Sequence, residues 1–212
     1  MKFSKEMLRL YAVTDRNWVG EQTLAQQVEA AIRGGATIVQ LREKSLSRDA
    51  FLAEAKKISV LCRRYQIPFL INDNVDIALE AGADGVHVGI EDTPVAEIRR
   101  RAPSEFIIGA TCKTVEQARQ AEAAGADYMG VGAVFPSPTK KNAVRITAAQ
   151  LHEICTSVSI PAVAIGGIDG SNLAQLRGVG MAGIAVVSAL FGAADIEAAA
   201  AALLRQIKAI LE

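Results

Sequence analysis

The chain has 212 residues, half of them apolar and only 5% aromatic, with 23 basic and 23 acidic side chains. Balanced charge gives no broad cationic surface for nucleic acid or an anionic membrane, and no apolar run approaches the ~18 residues of a membrane span. A core poor in aromatics must be built from Val, Ile, Leu and Ala, which suits a parallel sheet buried on both faces.

The cysteines, Cys62, Cys112 and Cys155, are widely spaced and odd in number. They are expected to be reduced thiols of a cytoplasmic protein. The opening MKFSKEMLRLYAVTD lacks the uninterrupted apolar stretch of a signal peptide.

The first β-rich run is Leu10–Thr14. The second, Ile38–Arg42, follows Gly34-Gly35-Ala36 and leads through Gln40-Leu41-Arg42-Glu43-Lys44. Alternation puts Gln40, Arg42 and Lys44 on one side, provided the strand persists that far. Arg offers phosphate a planar fork and Lys a compact charge. The same segment also fits a solvated loop with an internal ion pair to Glu43.

A helical stretch, Ser47–Tyr65, precedes the third run, Phe69–Asn72, which ends in Asn72-Asp73. The fourth, Gly85–Gly89, leads to Asp92. Carboxylates at adjacent strand ends can share one hard cation such as Mg²⁺. Each is also placed to cap a helix, Asp73 before a helical stretch and Asp92 close to Pro94. His87, inside the fourth run, is expected to be a hydrogen-bonded structural residue.

The fifth run, Phe106–Thr111, ends in Gly109-Ala110-Thr111-Cys112. The Thr111 hydroxyl is placed either to meet an anion or to cap the helix Val115–Ala124, and Cys112 reads as a structural thiol. The sixth run, Tyr128–Ala133, continues into Phe135-Pro136-Ser137-Pro138-Thr139-Lys140-Lys141. That loop, stiffened by two prolines, offers hydroxyls and lysines to an anion. The seventh, Ala162–Gly166, runs into Gly167, and the eighth, Gly183–Ser188, ends in Val187-Ser188. Small residues there let backbone N–H groups approach a phosphate. A helix over Asp195–Leu211 follows.

Ala-Gly-Ala-Asp occurs at 81–84 and again at 124–127, marking equivalent helix-to-strand turns with a glycine stop signal. Strands regularly alternating with helices indicate parallel βαβ units. Eight such units in so short a chain favour a closed (β/α)8 TIM barrel, a single domain over residues 1–212, with its chemistry at the strand C-termini. No nucleophile–His–Asp triad, zinc spacing or Walker loop accompanies it.

Taken in order, six stretches resemble the thiamine phosphate synthase family. They are residues 10–15, 39–44, 71–73, 83–89 with Asp92, 135–140 and 164–168. The resemblance implies a transferase that joins a hydroxymethylpyrimidine pyrophosphate to a thiazole phosphate with loss of pyrophosphate. It implies Gln40, Leu41, Arg42, Glu43, Lys44, Asn72, Thr111 and Lys140 around the pyrimidine pyrophosphate, with Arg42, Lys44 and Lys140 acting in catalysis. It implies Asp73 and Asp92 as Mg²⁺ ligands. Ser137, Pro138, Thr139, Gly167, Val187 and Ser188 would hold the thiazole phosphate.

Three departures from the family pattern stand out: Thr111 where Ser is usual, Ile90 where Gln is frequent, and Cys112-Lys113 where a histidine is common nearby. The alternatives are a thiazole tautomerase of the same barrel family, another phosphate-binding barrel such as a sugar-phosphate epimerase, and a non-catalytic binding barrel. The expected partners are the two small-molecule substrates, with a homo-oligomer left open.

Overall fold

The computed structural model describes residues 2–137 and 144–211. Eight strands run β1 Leu10–Val13, β2 Ile38–Leu41, β3 Phe69–Asn72, β4 Gly85–Val88, β5 Ile107–Cys112, β6 Tyr128–Gly132, β7 Ala162–Ile165 and β8 Gly183–Val186. Each pairs in parallel with the next, and β8 closes on β1 through Leu10↔Ile184, Tyr11↔Ala185 and Ala12↔Val186. The eight runs expected from sequence are these eight strands, most of them a residue or two shorter at the C-terminal end.

Alternation sorts every strand into two faces. Tyr11, Ile38, Leu70, Ile107, Tyr128, Val163 and Ala185 fill the barrel. Their neighbours, such as Val39, Ile71, Val86, Ile108 and Ile184, pack outward among the helices. Both faces are therefore apolar, which is why the runs read as nearly continuous Val, Ile, Leu and Ala.

The outer ring comprises α1 Leu24–Arg33, α2 Arg48–Arg64, α3 Val75–Glu80, α4 Val95–Arg101, α5 Val115–Ala123, α6 Ala148–Thr156, α7 Ser188–Phe191 and α8 Ile196–Leu211. Helix α1 turns Leu24, Val28, Ala31 and Ile32 inward at helical spacing. It starts in a capping box in which the Thr23 side chain and Gln26 satisfy each other's backbone N–H groups. Helix α8 buries Ile196, Ala200, Leu203 and Ile207 in the same way.

One unit departs from the expected rhythm. Among the described residues, β7 and β8 are joined by a single 3₁₀ turn, Leu173–Leu176, and no α-helix. The segment carries Gly166, Gly167, Gly170, Gly178 and Gly180, and so many glycines in so short a stretch oppose helix propagation. Leu173 and Leu176 are still buried, so the turn covers the sheet as a helix would.

The repeated Ala-Gly-Ala-Asp acquires a mechanism here. Gly82 and Gly125 take φ values of +63° and +93°, the left-handed step that ends a helix. The aspartate then folds back: Asp84 accepts from the Phe69 backbone N–H at 2.8 Å and Asp127 from that of Ile108 at 2.7 Å. Each repeat thus ties a helix end to the neighbouring strand.

Candidate active site

Among the described residues, the polar site candidates Gln40, Arg42, Lys44, Asn72, Asp73, Asp92, Thr111 and Ser188 lie in the C-terminal half of their strands or just beyond it. Strand β2 ends at Leu41, so strict alternation does not reach Lys44. Gln40 lies 4% exposed inside the barrel top, and its amide N–H donates to the Tyr11 hydroxyl at 2.7 Å. Arg42 pairs with Asp15 at 2.9 Å, while its backbone N–H donates to Thr14 Oγ1 at 3.0 Å. Leu41 is fully buried on the helix side. Glu43 accepts from Arg16 at 2.6 Å, so the internal Glu43 ion pair envisaged within this segment is instead made to the loop after β1. Lys44 donates to Asp73 Oδ2 at 2.5 Å.

Strand β3 delivers Asn72 and Asp73 next to β4. Asp73 has a φ of +63°, a left-handed conformation that aspartate tolerates better than most residues. It is not the helix cap: Asn74 takes that place, accepting from the Ile77 N–H at 2.9 Å. The Asp73 carboxylate is therefore free for Lys44 and for the Asn72 amide, which donates to it at 2.6 Å. Asp92 does not cap α4 either, since Pro94 holds that position. It accepts from the Gly89 N–H at 2.7 Å, folding the loop after β4 back on itself.

Burial raises the Asp73 pKa above its usual value, the Lys44 ammonium pulls it back, and the Asp92 carboxyl within hydrogen-bonding reach raises it again. Two carboxylates this close repel unless a cation lies between or beside them. Lys44 supplies part of that charge. Oxygen donors, like-charge strain and an adjacent amide oxygen at Asn72 fit a hard divalent cation that takes one or two carboxylates. Among the described residues no cluster of three or more acidic, His or Cys side chains provides a cage, so water or substrate oxygens would complete such a site.

Thr111 is likewise not a cap, because Thr114 accepts from Gln117 to start α5. Its hydroxyl lies 3.1 Å from His87 Nε2. His87 is half-buried among protein atoms; desolvation pushes its pKa down to about 4, keeping the ring neutral. Its Nδ1 lies 2.9 Å from the Tyr128 hydroxyl, which is 2.8 Å from that of Tyr11. Gly109 and Gly130 make room for this packing. A Cβ on Gly109 would overlap the Tyr128 ring and come within 2.5 Å of His87 Nδ1; one on Gly130 would stand 2.9 Å from His87 Cε1.

On the opposite side of the mouth, Gly167 has a φ of +66° and packs so tightly on Phe135 and Pro136 that no Cβ fits. The Phe135 N–H donates to the Gly166 oxygen at 2.9 Å. This contact brings the turn after β7 against the loop bearing Ser137, which is half-buried. Val187 follows β8 at the N-cap position, and Ser188 opens the one-turn helix α7. Pro138, Thr139 and Lys140 lie outside the described residues, as does most of the loop over residues 136–144 that carries them.

Comparison with known proteins places the barrel in a family. The family model for thiamine monophosphate synthase matches residues 10–190. "Thiamine-phosphate synthase 2" of Streptococcus pneumoniae is 44% identical over 98% of this chain and 99% of its own length. Thiamine-phosphate synthase of Ruminiclostridium cellulolyticum is 45% identical over 95% of this chain and 96% of its own. A solved thiamine phosphate pyrophosphorylase of Pyrococcus furiosus superposes with a TM-score of 0.90 at 38% identity, over 98% of this chain and 99% of that one. The chain belongs to the thiamine monophosphate synthase family.

Within this thiamine monophosphate synthase barrel, the three departures fall at different depths. Thr111 faces the mouth beside His87. Ile90 is 56% exposed on the loop before Asp92. Cys112 is buried, and desolvation pushes its thiol up to about 12, which makes it inert as a nucleophile. Lys113 is held at its backbone N–H by Gln117 at 2.8 Å.

Sequence reasoning did not assign roles to Asp15, Arg16, Tyr11 or Tyr128. Asp15 and Tyr11 lie inside a family stretch, but their contacts span 27, 29 and 117 residues, and no local spacing announces such pairs. No described helix is long and apolar enough to cross a membrane.

Proposed function

We propose that this barrel condenses 4-amino-2-methyl-5-hydroxymethylpyrimidine pyrophosphate with 4-methyl-5-(2-phosphooxyethyl)thiazole, giving thiamine phosphate and pyrophosphate. The observation that carries the assignment is the meeting of Lys44, Asn72, Asp73 and Asp92 at the mouth of a barrel of this family. Asp73 and Asp92 would hold Mg²⁺, which supplies positive charge to a pyrophosphate that must leave as an anion. Lys44, now neutralising Asp73, would turn to that pyrophosphate once the carboxylates share a divalent cation. Arg42 and Lys140 add charge to the same group, with Asp15 holding the Arg42 guanidinium in place.

The chemistry follows from the substrate. An electron-donating amino group on the pyrimidine stabilises a cation at its exocyclic methylene. The C–O bond breaks with its electron pair on the pyrophosphate, and the thiazole nitrogen supplies the pair for the new C–N bond. No proton moves and no enzyme nucleophile is needed, in keeping with a mouth that offers charge and hydrogen bonds. What the protein contributes is charge stabilisation and orientation. Gln40 and Thr111 would orient the pyrimidine pyrophosphate. Ser137, Pro138, Thr139, Gly167, Val187 and Ser188 would hold the thiazole phosphate across the mouth.

A tautomerase would need an accessible proton-transfer group. His87 has both ring nitrogens engaged inside the barrel, and the Asp73 carboxylate is taken up by Lys44 and Asn72, which disfavours that alternative. The test is an assay of the purified chain with both substrates and Mg²⁺, detecting thiamine phosphate as thiochrome. Fluorescent product that disappears with EDTA is the expected result; a folded chain yielding none would overturn the assignment.

A further inference from the structure

Five side chains form an unbroken hydrogen-bonded chain across the barrel interior. It runs from Gln40 Nε2 to Tyr11 (2.7 Å), to Tyr128 (2.8 Å), to His87 Nδ1 (2.9 Å) and from His87 Nε2 to Thr111 (3.1 Å). Its two ends are residues assigned to one substrate, and they lie on β2 and β5, on different sides of the barrel. We infer that this chain has one direction, and that Tyr11, Tyr128 and His87 are positioning residues that hold the Thr111 hydroxyl as a hydrogen-bond donor toward the pyrimidine pyrophosphate.

Direction follows from chemistry at the first link. An amide nitrogen only donates. The Tyr11 oxygen therefore accepts from Gln40, and among the described residues the one acceptor within reach of its own proton is the Tyr128 oxygen. Tyr128 in turn donates to His87 Nδ1. A neutral imidazole that accepts at Nδ1 carries its proton on Nε2, and that N–H donates to Thr111 Oγ1. The threonine's proton is then left for an anion above it.

At the other end, Gln40 Oε1 has no hydrogen bond among the described residues, yet it is not a buried orphan, since Gln27 Oε1 alone among them is buried and unpaired. Gln40 Oε1 therefore keeps some exposure and an unused acceptor position at the barrel top. The barrel top presents an acceptor on the β2 side and a donor on the β5 side. That polarity suits a substrate with an amino group at one end and pyrophosphate oxygens at the other. Reversing the chain would exchange the two and turn the Thr111 proton inward. Only two histidines exist, and His152 is exposed on α6, so the ring of His87 can be observed directly.

The inference rests on the proposed activity for its substrate, but the chain itself is testable without substrate. In ¹⁵N-labelled protein, with His152→Gln to assign the signals, His87 is expected to show one-bond ¹⁵N–¹H coupling at Nε2 and none at Nδ1. A proton on Nδ1 would mean the reverse direction and overturn the inference, whatever the enzyme makes. Kinetics test the consequence. Tyr128→Phe keeps the ring packed but cuts the chain, and is expected to raise KM for the pyrimidine pyrophosphate about fivefold, the scale of one hydrogen bond, with KM for the thiazole phosphate within about twofold. In a Thr111→Val background the same change should add less than about twofold, because the group it positions is gone. Thr111→Ser, which restores the hydroxyl, should restore the sensitivity to Tyr128→Phe. Equal effects of Tyr128→Phe in the wild-type and Thr111→Val backgrounds would leave Tyr128 a packing residue and refute the positioning role.

Discussion

The mouth of the barrel and its interior just below use polar groups in opposite ways. Above stand the ionisable groups Arg42, Lys44, Asp73 and Asp92, with Lys44 55% and Asp73 28% exposed at the side chain. Below, Gln40, Tyr11, Tyr128, His87 and Thr111 are neutral and linked one to the next. Exposed charges act over distance and are not fixed in direction, whereas neutral hydrogen bonds act only in contact and have a sense. In the proposed reaction the rim would supply charge to the leaving group, and the interior would supply orientation. Substitutions in the two regions should fail differently.

The largest loss is expected at the rim. Asp92→Ala removes one of two carboxylates and the acceptor for the Gly89 N–H. Turnover should fall by about 10²–10³-fold, the scale seen when one electrostatic stabiliser is removed from a reacting site. Thermal unfolding should shift little, because Asp92 is not a core residue. A variant that unfolds more than it slows would place Asp92 among the structural groups and weaken the contrast at the rim.

An interior change should reverse that pattern. Gly109→Ala pushes a methyl into Tyr128 and His87. Overpacking of this kind costs about 1–3 kcal/mol, read as a lower denaturant midpoint at an unchanged slope. The two tyrosines and the histidine would have to separate, so the pyrimidine pyrophosphate KM should rise as well. Unchanged stability would mean the interior is loose enough to yield, which contradicts a chain of fixed sense.

The contrast also explains what the sequence could show. Fold was legible because strand period, glycine stop signals and buried Val–Ile–Leu runs all act locally, and all eight strands came out. The unit after β7 was not, since Leu173 and Leu176 cover the sheet from a 3₁₀ turn and look helical in pattern. At the rim, Lys44, Asp73 and Asp92 were legible as strand-end charges. Their local roles were not: whether Asp73 or Asn74, Thr111 or Thr114, caps the helix depends on a one-to-three-residue shift. Of the interior chain, His87 was legible as a hydrogen-bonded residue and Gln40 and Thr111 as polar groups near strand ends; its links were not, because only the register, which sets both His87 and Tyr128 beside Gly109, brings them together.

Acid should expose the interior before it touches the core. The neutral His87 has a pKa lowered to about 4 from an ordinary 6.5. Between those values the unfolded chain holds more protons than the folded one, so stability falls as pH drops through that window. The slope is at most about 1.4 kcal/mol per pH unit, and less in practice because His87 is only half-buried. Asp73 works in the other sense. Its raised pKa lets the folded chain keep a proton the unfolded chain has lost, so its contribution is present at low pH and fades as pH rises through the folded value. Denaturant midpoints at pH 7 and pH 5 should differ in the wild type and converge in a His87→Gln variant. A pH dependence that His87→Gln leaves unchanged would take His87 out of this linkage and show that its ring is not held neutral in the fold.

The smallest effect is expected where the chain departs from its family at the surface. Ile90 stands 56% exposed on the loop before Asp92, and its apolar side chain makes no hydrogen bond to the rim charges. Ile90→Gln puts an amide at an exposed position on the loop before Asp92, so KM for the pyrimidine pyrophosphate should change by less than about threefold, one hydrogen bond at an exposed site. Stability should stay within about 0.5 kcal/mol, as for other surface changes. A tenfold gain would place the Ile90 loop over the bound pyrophosphate, and part of the orienting task would then belong to the rim rather than to the interior.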